Sequence, residues 1–422
     1  MTQVEDISRY LSNDTVFNKI SRRFISMQSD DIRRNNELLN SLLKELENAM
    51  RSQCPLFTKT FKKIEWAGSY YKGTRVGQPE EYDLNFVIKL PFRENDLEFS
   101  TDRPGFTKIR IVGRDRNSSN TLNMDPAAYR KLNSFIDDQS YLNQQRFRTW
   151  IEGILDKVAW ATGGNNEILF DGYLPIKIKK SGPAFTLLIP LFERTISIDI
   201  VPVLAFSPRI TMPPKCSRRD ILESASENRR WSVVPKPLDN SKGFNDSQHR
   251  YWRLCFYEFE KVMICSHDYG SIKPVIRQLK KLRDTQKWCS IASYYLETLC
   301  YNKKEIFHIS KRQSYTSLFF TMLEELHDAL CNGKIEFYWD NDYNLLEKIG
   351  PEEMRNMAGR LNNVLESIRK NIKNDQYAIA RWILNKNELD ILINSVHVLE
   401  PEPEPEPEPE FENPSQWNCV IV

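Results

Sequence analysis

Apolar residues follow two different periods along the chain, and the change of period divides it into two parts. Between residues 57 and 203, apolar and polar residues alternate over short runs, which is the pattern of half-buried β-strands. The alternation predicts strands over residues 62–66, 84–90, 108–112, 174–180, 184–190 and 195–203. A helical period interrupts it over residues 129–161, so we expect a mixed sheet with one or two helices packed on it.

Apolar residues recur at intervals of three and four before and after this strand-rich part, which predicts helices there. Residues 5–52 are expected to be helical with one break near residues 27–29, where Ser29, Asp30 and Asp31 would cap the second segment. After Gln248 the pattern predicts helices over residues 252–264, 273–285, 293–300, 315–332, 352–372 and 375–386, with a short turn over residues 389–396.

The chain has 422 residues, which is enough for two lobes. The patterns predict four regions: an N-terminal helix at 1–56, a strand-rich lobe at 57–247, a helical lobe at 248–399 and a tail at 400–422.

The tail alternates proline and glutamate from residue 400 to residue 410, which favours a stiff, extended spacer of roughly 30–40 Å. It ends in Cys419 and three aliphatic residues, which resembles a prenylation box, although the final valine is unusual there. The alternative is a hydrophobic terminus with a chance cysteine. A single prenyl chain without a polybasic patch would tether the protein to membranes only weakly.

Composition is typical of a soluble globular protein, with 40% hydrophobic and 27% charged residues. No apolar run is long enough to span a membrane, and no signal peptide opens the chain. The eight cysteines show no close pairing, so we expect reduced thiols and a cytoplasmic location. The net charge of +2 hides a basic body, since without the seven glutamates of the tail 59 basic residues face 50 acidic ones. Such an excess is compatible with a polyanionic partner.

Three acidic residues and a glycine turn are the candidate chemistry. Gly68 and Ser69 can bring backbone N–H groups and a hydroxyl close to phosphate oxygens. Glu81 and Asp83 are two apart at the start of a strand, so both point to one face. Asp199 lies in the middle of a strand of β-branched residues, where a carboxylate is costly to bury unless it pairs with a cation. Three carboxylates beside a phosphate-binding turn suit two divalent ions and a phosphoryl displacement.

Ordinary structural explanations exist for each part of this set. A Gly-Ser turn is common, and an acidic pair at the start of a strand is usually solvated. The third acid on a separate, apolar strand is what favours a metal site over a solvated surface.

Together with other segments, these residues resemble a known family. Gly68 and Ser69, the Glu81 and Asp83 pair, and Asp199 on a later strand resemble the nucleotidyltransferase superfamily. Seven further segments narrow the resemblance to the cyclic GMP-AMP synthase-like receptors, relatives of the Mab-21 proteins. They are GPAFTLLI at 182–189, VPKP at 234–237, WRLCF at 252–256, LKKLRD at 279–284, SY at 293–294, GKIEFYW at 333–339 and NLL at 344–346. As an ordered set the motifs cover roughly residues 5–395.

The resemblance implies an α+β, bilobal nucleotidyltransferase fold: a catalytic lobe with a mixed sheet, and a helical Mab-21-type C-terminal lobe, joined by a long N-terminal spine helix. It implies that Glu81, Asp83 and Asp199 are the catalytic residues and hold two Mg²⁺ or Mn²⁺ ions. It also implies nucleotide contacts, from Gly68, Ser69, Arg253, Lys280, Ser293 and Tyr294. Without the resemblance, ordinary explanations are favoured for the last four. Arg253 would form a structural ion pair, Lys280 would be a surface lysine rather than a triphosphate contact, and Tyr294 would be a core residue.

The activity implied is synthesis of a cyclic dinucleotide of the cyclic GMP-AMP type from ATP and GTP, switched on by double-stranded RNA and read by a STING-type receptor. Lys19, Arg22 and Arg23 on the predicted spine are the candidate RNA contacts, and RNA is expected to favour a dimer. By charge alone an ordinary solvated helix face is the better explanation, and only the resemblance gives the RNA contact equal weight.

Three departures from the family pattern are informative. The vertebrate DNA sensor carries a His-Cys-Cys-Cys zinc insertion, whereas here only Cys265 and His267 occur at that point, so we expect no zinc. In the family this loss accompanies recognition of RNA rather than DNA. Cys255 and Tyr257 replace serines, and Glu297 replaces a common lysine, which leaves base choice and linkage open.

Two alternatives stay open at this stage. One is a synthase of linear oligonucleotides, and the other is a non-catalytic Mab-21-like scaffold that binds RNA. The intact set of three acids with the Gly-Ser turn argues against the scaffold, because a protein without catalysis has no physical need for converging carboxylates.

Overall fold

The computed structural model describes residues 7–26, 29–78, 80–112, 124–163, 167–191, 194–236 and 246–394. The predicted spacer and Cys419 lie outside the described residues, as do the predicted break at residues 27–28 and the side chains of Ser29, Asp30 and Asp31.

The N-terminal region is helical, as predicted. It comprises α1 (Ser8–Leu11), α2 (Thr15–Ile20), a π-helical turn (Ser21–Ile25) and the 25-residue α3 (Ser29–Gln53). Leu39, Leu42, Leu43 and Leu46 of α3 recur at helical spacing and are buried, which fixes the face that the helix turns to the core. An additional break occurs at residues 12–14, because the Asp14 carboxylate accepts hydrogen bonds from the backbone N–H groups of Tyr315 (3.1 Å) and Thr316 (2.8 Å).

Ten strands form one mixed sheet within the described residues, and this confirms the sheet predicted from the alternation. They are β1 (Phe61–Ala67), β2 (Glu81–Ile88), β3 (Leu97–Ser100), β4 (Phe106–Ile111), β5 (Glu167–Phe170), β6 (Leu174–Ser181), β7 (Ala184–Leu191), β8 (Arg194–Phe206), β9 (Trp231–Val234) and β10 (Tyr251–Cys255). Their order is β3-β4-β10-β9-β8-β7-β6-β5, with β2 also paired to β8 and β1 to β2. The β2–β8 pair is parallel and the other pairs are antiparallel.

Helices cover the sheet and form the C-terminal lobe. They are α4 (Pro55–Thr60), α5 (Gly68–Lys72), α6 (Pro126–Asn133), α7 (Gln144–Thr162), α8 (Arg219–Glu223), α9 (Tyr257–Cys265), α10 (Ile272–Gln286), α11 (Ser293–Asn302), α12 (Tyr315–Asn332), α13 (Pro351–Asn371), α14 (Ala380–Ile383) and α15 (Lys386–Asn394). A small hairpin, β11 (Glu336–Phe337) and β12 (Asp340–Asn344), lies between α12 and α13. Of the described helices, none is long and apolar enough to cross a membrane.

Two helix predictions are wrong. Residues 252–264 were expected to be one helix, but the first four lie in strand β10, where Trp252 and Leu254 alternate into the core. Residues 375–386 were also expected to be one helix, but extended backbone at Leu384 ends α14. A new helix follows because Asn385 and Glu388 form a reciprocal capping box, with 3.0 Å hydrogen bonds in both directions.

Candidate active site

Two of the residues predicted to carry the chemistry, Asp83 and Asp199, lie in one row that crosses four strands. On the parallel pair β2–β8, Asp83 is directly opposite Asp199. On the far side of Asp83, Ala67 of β1 is its partner, and on the far side of Asp199, Thr186 of β7 is its partner. Partners in register project to the same face of a sheet, so two acids distant in sequence become neighbours.

The Thr186 hydroxyl donates a 2.5 Å hydrogen bond to Oδ1 of Asp199. This contact fixes the orientation of the carboxylate and leaves Oδ2 to face other groups. Thr186 was not singled out from the sequence, although its place in the GPAFTLLI segment is directly across from the aspartate strand.

Gly68 packs against the Asp83 carboxylate. It follows Ala67, the partner of Asp83, and has a φ of +65° that side chains other than glycine rarely adopt. A Cβ atom at this position would lie 1.7 Å from Oδ2 of Asp83. The turn therefore approaches the carboxylate with bare backbone, and its contact with phosphate oxygens stays a prediction.

Glu81 is the first residue of β2, the strand that contains Asp83. Its side chain is 76% exposed, and Oε2 lies 3.4 Å from a guanidinium nitrogen of Arg75. Among the described residues, no three His, Cys, Asp or Glu side chains are gathered closely enough to hold a metal ion. The Asp83–Asp199 pair is thus in place, while the carboxylate of Glu81 is directed to Arg75.

The surroundings of Asp83 and Asp199 disfavour two negative charges at this pair. Burial raises the pKa of Asp83 above its ordinary value, and the charges of Asp199 and Glu81 raise it further. Lys72 and Arg75 oppose this shift without cancelling it. A carboxylate pair destabilised in this way gains from a divalent cation, and the oxygen-only donor set suits Mg²⁺ or Mn²⁺. The residues therefore fit the ions that the sequence predicted, with Glu81 completing the set once it leaves Arg75.

We expect the change Asp83→Asn to stabilise the protein while it weakens metal binding. The raised pKa means that the ionised carboxylate costs folding free energy at neutral pH, and the amide removes that cost. The melting temperature at pH 7 should rise by roughly 1–3 °C. The gain should shrink as the pH falls through the pKa of Asp83 in the folded protein, because wild-type Asp83 then becomes neutral too. Thermal unfolding between pH 4 and pH 8 measures both effects.

A titration with Mg²⁺ or Mn²⁺ separates the effect of Asp83 on stability from its role in metal binding. An ion that binds only the folded protein raises its melting temperature, so wild type should respond and Asp83→Asn should not. Equal metal-induced stabilisation of both proteins would contradict a metal site at Asp83.

Arg253 lies against the small C-terminal hairpin. Its guanidinium is 4.9 Å from the Tyr343 ring centroid and donates a 2.9 Å hydrogen bond to the Tyr343 hydroxyl. Phe106 and Phe337 flank the same group at 5.7 and 5.8 Å. An arginine among aromatic rings fits either a structural role or a stacked base, so its nucleotide contact stays a prediction.

Lys280, Ser293 and Tyr294 already have protein partners. Lys280 is 3% exposed and donates to Glu297 (2.6 Å) and to the carbonyl of Thr74 (3.2 Å). The Tyr294 hydroxyl donates to Glu260 at 2.5 Å, and the Ser293 hydroxyl accepts from Arg283 at 2.7 Å. A direct contact of Lys280 with a triphosphate requires the ammonium to leave this buried position.

The three basic residues predicted to touch RNA are all exposed. Lys19 is on α2, and Arg22 and Arg23 are in the π-helical turn. This segment contacts the loop between α5 and β2, because the carbonyl of Ile25 accepts a 3.2 Å hydrogen bond from the N–H of Gly77.

Helix α3 also contacts the site. The Tyr70 hydroxyl, next to Ser69, donates to Asn36 at 2.8 Å, and Asn35 donates to the Tyr82 hydroxyl at 2.9 Å. Neither asparagine was predicted, since a polar residue on a long helix gives no sign of its partner in the sequence.

Comparison with protein families agrees with this architecture. Residues 70–266 match the Mab-21 protein nucleotidyltransferase domain, and residues 271–363 match the Mab-21 protein HhH/H2TH-like domain. The first match contains β2, β8 and the row of acids, and the second begins at α10. The chain therefore has the fold of a two-lobed Mab-21-type nucleotidyltransferase, which confirms the predicted fold class.

Individual relatives narrow the class. A cyclic GMP-AMP synthase-like receptor of Microplitis demolitor is 33% identical over 391 residues, which cover 91% of this chain and 70% of the relative. A cyclic GMP-AMP synthase-like receptor of Trichogramma pretiosum is 34% identical over 405 residues, which cover 92% of this chain and 79% of the relative. One of Aethina tumida is 29% identical over 402 residues, covering 92% and 96%. The chain belongs to the family of cyclic GMP-AMP synthase-like receptors, as the sequence motifs indicated.

Proposed function

We propose that this protein is a metal-dependent nucleotidyltransferase that joins ATP and GTP into a cyclic dinucleotide when double-stranded RNA binds it. The observation that carries the proposal is the register of Asp83 with Asp199 beside the bare backbone of Gly68. The similarity to cyclic GMP-AMP synthase-like receptors supports the product class, and the exposed basic residues of the N-terminal helices support the activator.

The residues of the row have distinct roles in this proposal. Asp83 and Asp199, joined by Glu81, would hold two divalent ions, and such ions would neutralise the triphosphate and lower the pKa of the attacking ribose hydroxyl. The backbone at Gly68 and the hydroxyl of Ser69 hold phosphate oxygens. Thr186 orients Asp199 through its hydrogen bond, so that this acid is directed before substrate arrives.

Purified protein incubated with ATP, GTP, Mn²⁺ or Mg²⁺ and poly(I:C) tests the proposal. We expect a cyclic dinucleotide, identified by chromatography against standards, and little product without RNA. A linear oligonucleotide would instead indicate a linear synthase. RNA binding without any nucleotide product, under every metal and ligand tried, would indicate a scaffold.

Charge reversal at Lys19, Arg22 and Arg23 tests the RNA contact. Since these side chains are exposed, replacing all three by glutamate should leave the melting temperature close to that of wild type. RNA affinity should fall at least about ten-fold, with a smaller dependence of affinity on salt, because fewer counterions are released. Fluorescence anisotropy at several salt concentrations measures both.

A matched variant controls for net charge. Lys311, Arg355 and Lys370 are exposed on the helical lobe, and their reversal changes the total charge equally. Equal loss of RNA affinity in both triple variants would show that overall charge, not the N-terminal surface, binds RNA.

Signalling through a STING-type receptor and weak tethering through a lipid on Cys419 belong to the same proposal. Both rest on the family resemblance and on the C-terminal sequence.

A further inference from the structure

A cluster of four charged side chains is buried below the Gly68–Ser69 turn, which we call the catalytic turn, where the segment that follows this turn meets the helical lobe. Lys72 is 5% exposed, and Glu260, Lys280 and Glu297 are each 3% exposed. Groups of this kind are rarely buried unless each charge is paired. Lys72 comes from α5 of the catalytic lobe, whereas the other three come from α9, α10 and α11.

Glu297 is at the centre of this cluster. Its Oε2 accepts from Lys72 at 3.0 Å and its Oε1 accepts from Lys280 at 2.6 Å. Oε1 also accepts a 2.8 Å hydrogen bond from the hydroxyl of Thr74, and Oε2 a 3.2 Å bond from Tyr301. One carboxylate thus connects two lysines and the backbone segment that follows α5.

Glu260 completes the cluster. Its Oε2 lies 2.7 Å from the ammonium of Lys72, and its Oε1 accepts from Tyr294 at 2.5 Å and from the indole N–H of Trp339 at 3.1 Å. Two positive and two negative charges therefore balance, and every carboxylate oxygen has a partner.

The electrostatic balance depends on Glu297. Burial alone would raise the pKa of Glu297, but Lys72 and Lys280 outweigh it and hold the pKa well below its ordinary range. Conversely, burial alone would lower the pKa of Lys72, but Glu260 and Glu297 hold it well above its ordinary value. Removing the charge of Glu297 leaves an excess of positive charge in a buried site.

Lys72 and Thr74 follow the catalytic turn closely in the chain, at the end of α5 and just after it. Helix α5 has only five residues and begins at Gly68, and a single helical turn is not stable by itself. Thr74 closes this turn by donating its N–H to the carbonyl of Ser69 at 2.9 Å. The position of Gly68 and Ser69 against Asp83 is therefore held by contacts made four to six residues later in the chain.

We infer that Glu297, together with Glu260, is a positioning residue that acts through Lys72 and Thr74 to hold the Gly68–Ser69 turn against Asp83. By this arrangement the helical lobe determines the geometry of a phosphate-binding turn that lies in the other lobe. The kinetic part of the inference rests on the proposed function, whereas the structural part does not.

The change Glu297→Gln tests it, since glutamine keeps the shape and removes the charge. We expect hydrogen exchange of the backbone at residues 68–78 to become at least ten-fold faster. We expect kcat for nucleotide synthesis to fall at least ten-fold, with a smaller change in KM, because the turn is misplaced rather than removed. Exchange measured by mass spectrometry and steady-state kinetics provide the two readouts.

Glu388→Gln is the matched control. Glu388 forms a 2.5 Å ion pair with Lys281, which is next to Lys280 on α10. Its loss removes an ion pair from the same helix without touching the catalytic turn. We expect exchange at residues 68–78 and kcat to stay within two-fold of wild type.

The double variant Lys72→Met/Glu297→Gln removes one charge of each sign and keeps the test decisive if the single variant folds poorly. If both residues act on the turn as a unit, the double variant should show the same fast exchange and low kcat as the single variants, not their product. Unchanged exchange at residues 68–78 in a folded variant would overturn the inference. If wild type makes no nucleotide product, the proposed function fails, yet the exchange measurement still decides whether Glu297 holds the turn.

Discussion

The change Asp199→Asn should reduce nucleotide synthesis by about 10³-fold or more while the protein stays folded. Asp199 is opposite Asp83 in the parallel pair, and its removal leaves one carboxylate where the proposed mechanism needs a bridging pair. Asparagine keeps an oxygen for the Thr186 hydroxyl, so the local hydrogen bond survives. Initial rates of product formation, with melting temperature as a check on folding, measure the effect.

An acid on the same sheet controls for the loss of a negative charge. Glu98 is on the edge strand β3 and pairs with Arg110 at the surface. Glu98→Gln should retain at least half of the wild-type rate. An Asp199→Asn variant that keeps more than a tenth of the wild-type rate would remove Asp199 from the catalytic set.

The change Gly68→Ala should have the second largest effect. Its added Cβ would lie 1.7 Å from the Asp83 carboxylate, so either the turn or the acid must move by more than an ångström. Displacements of this size at a reacting centre cost about 10²-fold in rate. A left-handed φ on a residue other than glycine adds a stability cost of roughly 1–2 kcal/mol.

The change Gly172→Ala separates the backbone strain of a left-handed φ from the steric clash with Asp83. Gly172 has a φ of +76° in the β5–β6 turn, but a Cβ there meets nothing within 4 Å. Both variants should lose stability from the left-handed φ in chemical denaturation, Gly68→Ala at least as much as Gly172→Ala, and only Gly68→Ala should lose most of its activity. Equal rates for the two variants would show that the close approach of Gly68 to Asp83 has no catalytic role.

The alternation of apolar residues predicted β8, with Asp199 inside it, almost to its bounds. It predicted β2 only from residue 84, so Glu81 and Asp83 were placed just before a strand that in the structure begins at Glu81. The pairing of Asp83 with Asp199 could not be derived in this way, since register between distant strands is set by tertiary contacts. The family motifs supplied that link. The row through Ala67 and Thr186 emerged only from the sheet itself.

The buried charges show a different limit of sequence reasoning. Lys280 was interpreted as an ordinary surface lysine or as a triphosphate contact, and the structure buries it against Glu297. A lysine on an amphipathic helix gives no sign of which face its neighbours cover. Strand β10 was missed for a related reason: five residues with alternating burial fit a helix and a strand equally well until their pairing partners are known.

The separation of the two aspartates along the chain has a consequence for synthesis on the ribosome. Strand β2 has no parallel partner until β8 has been made, and the charge of Lys72 is not balanced until Glu260, Lys280 and Glu297 have followed. Contacts of such high sequence separation form late, so an unfinished or prematurely terminated chain has the acids but not the assembled site. Under the proposed function, no cyclic dinucleotide is made until the helices that carry Glu260, Lys280 and Glu297 have been translated.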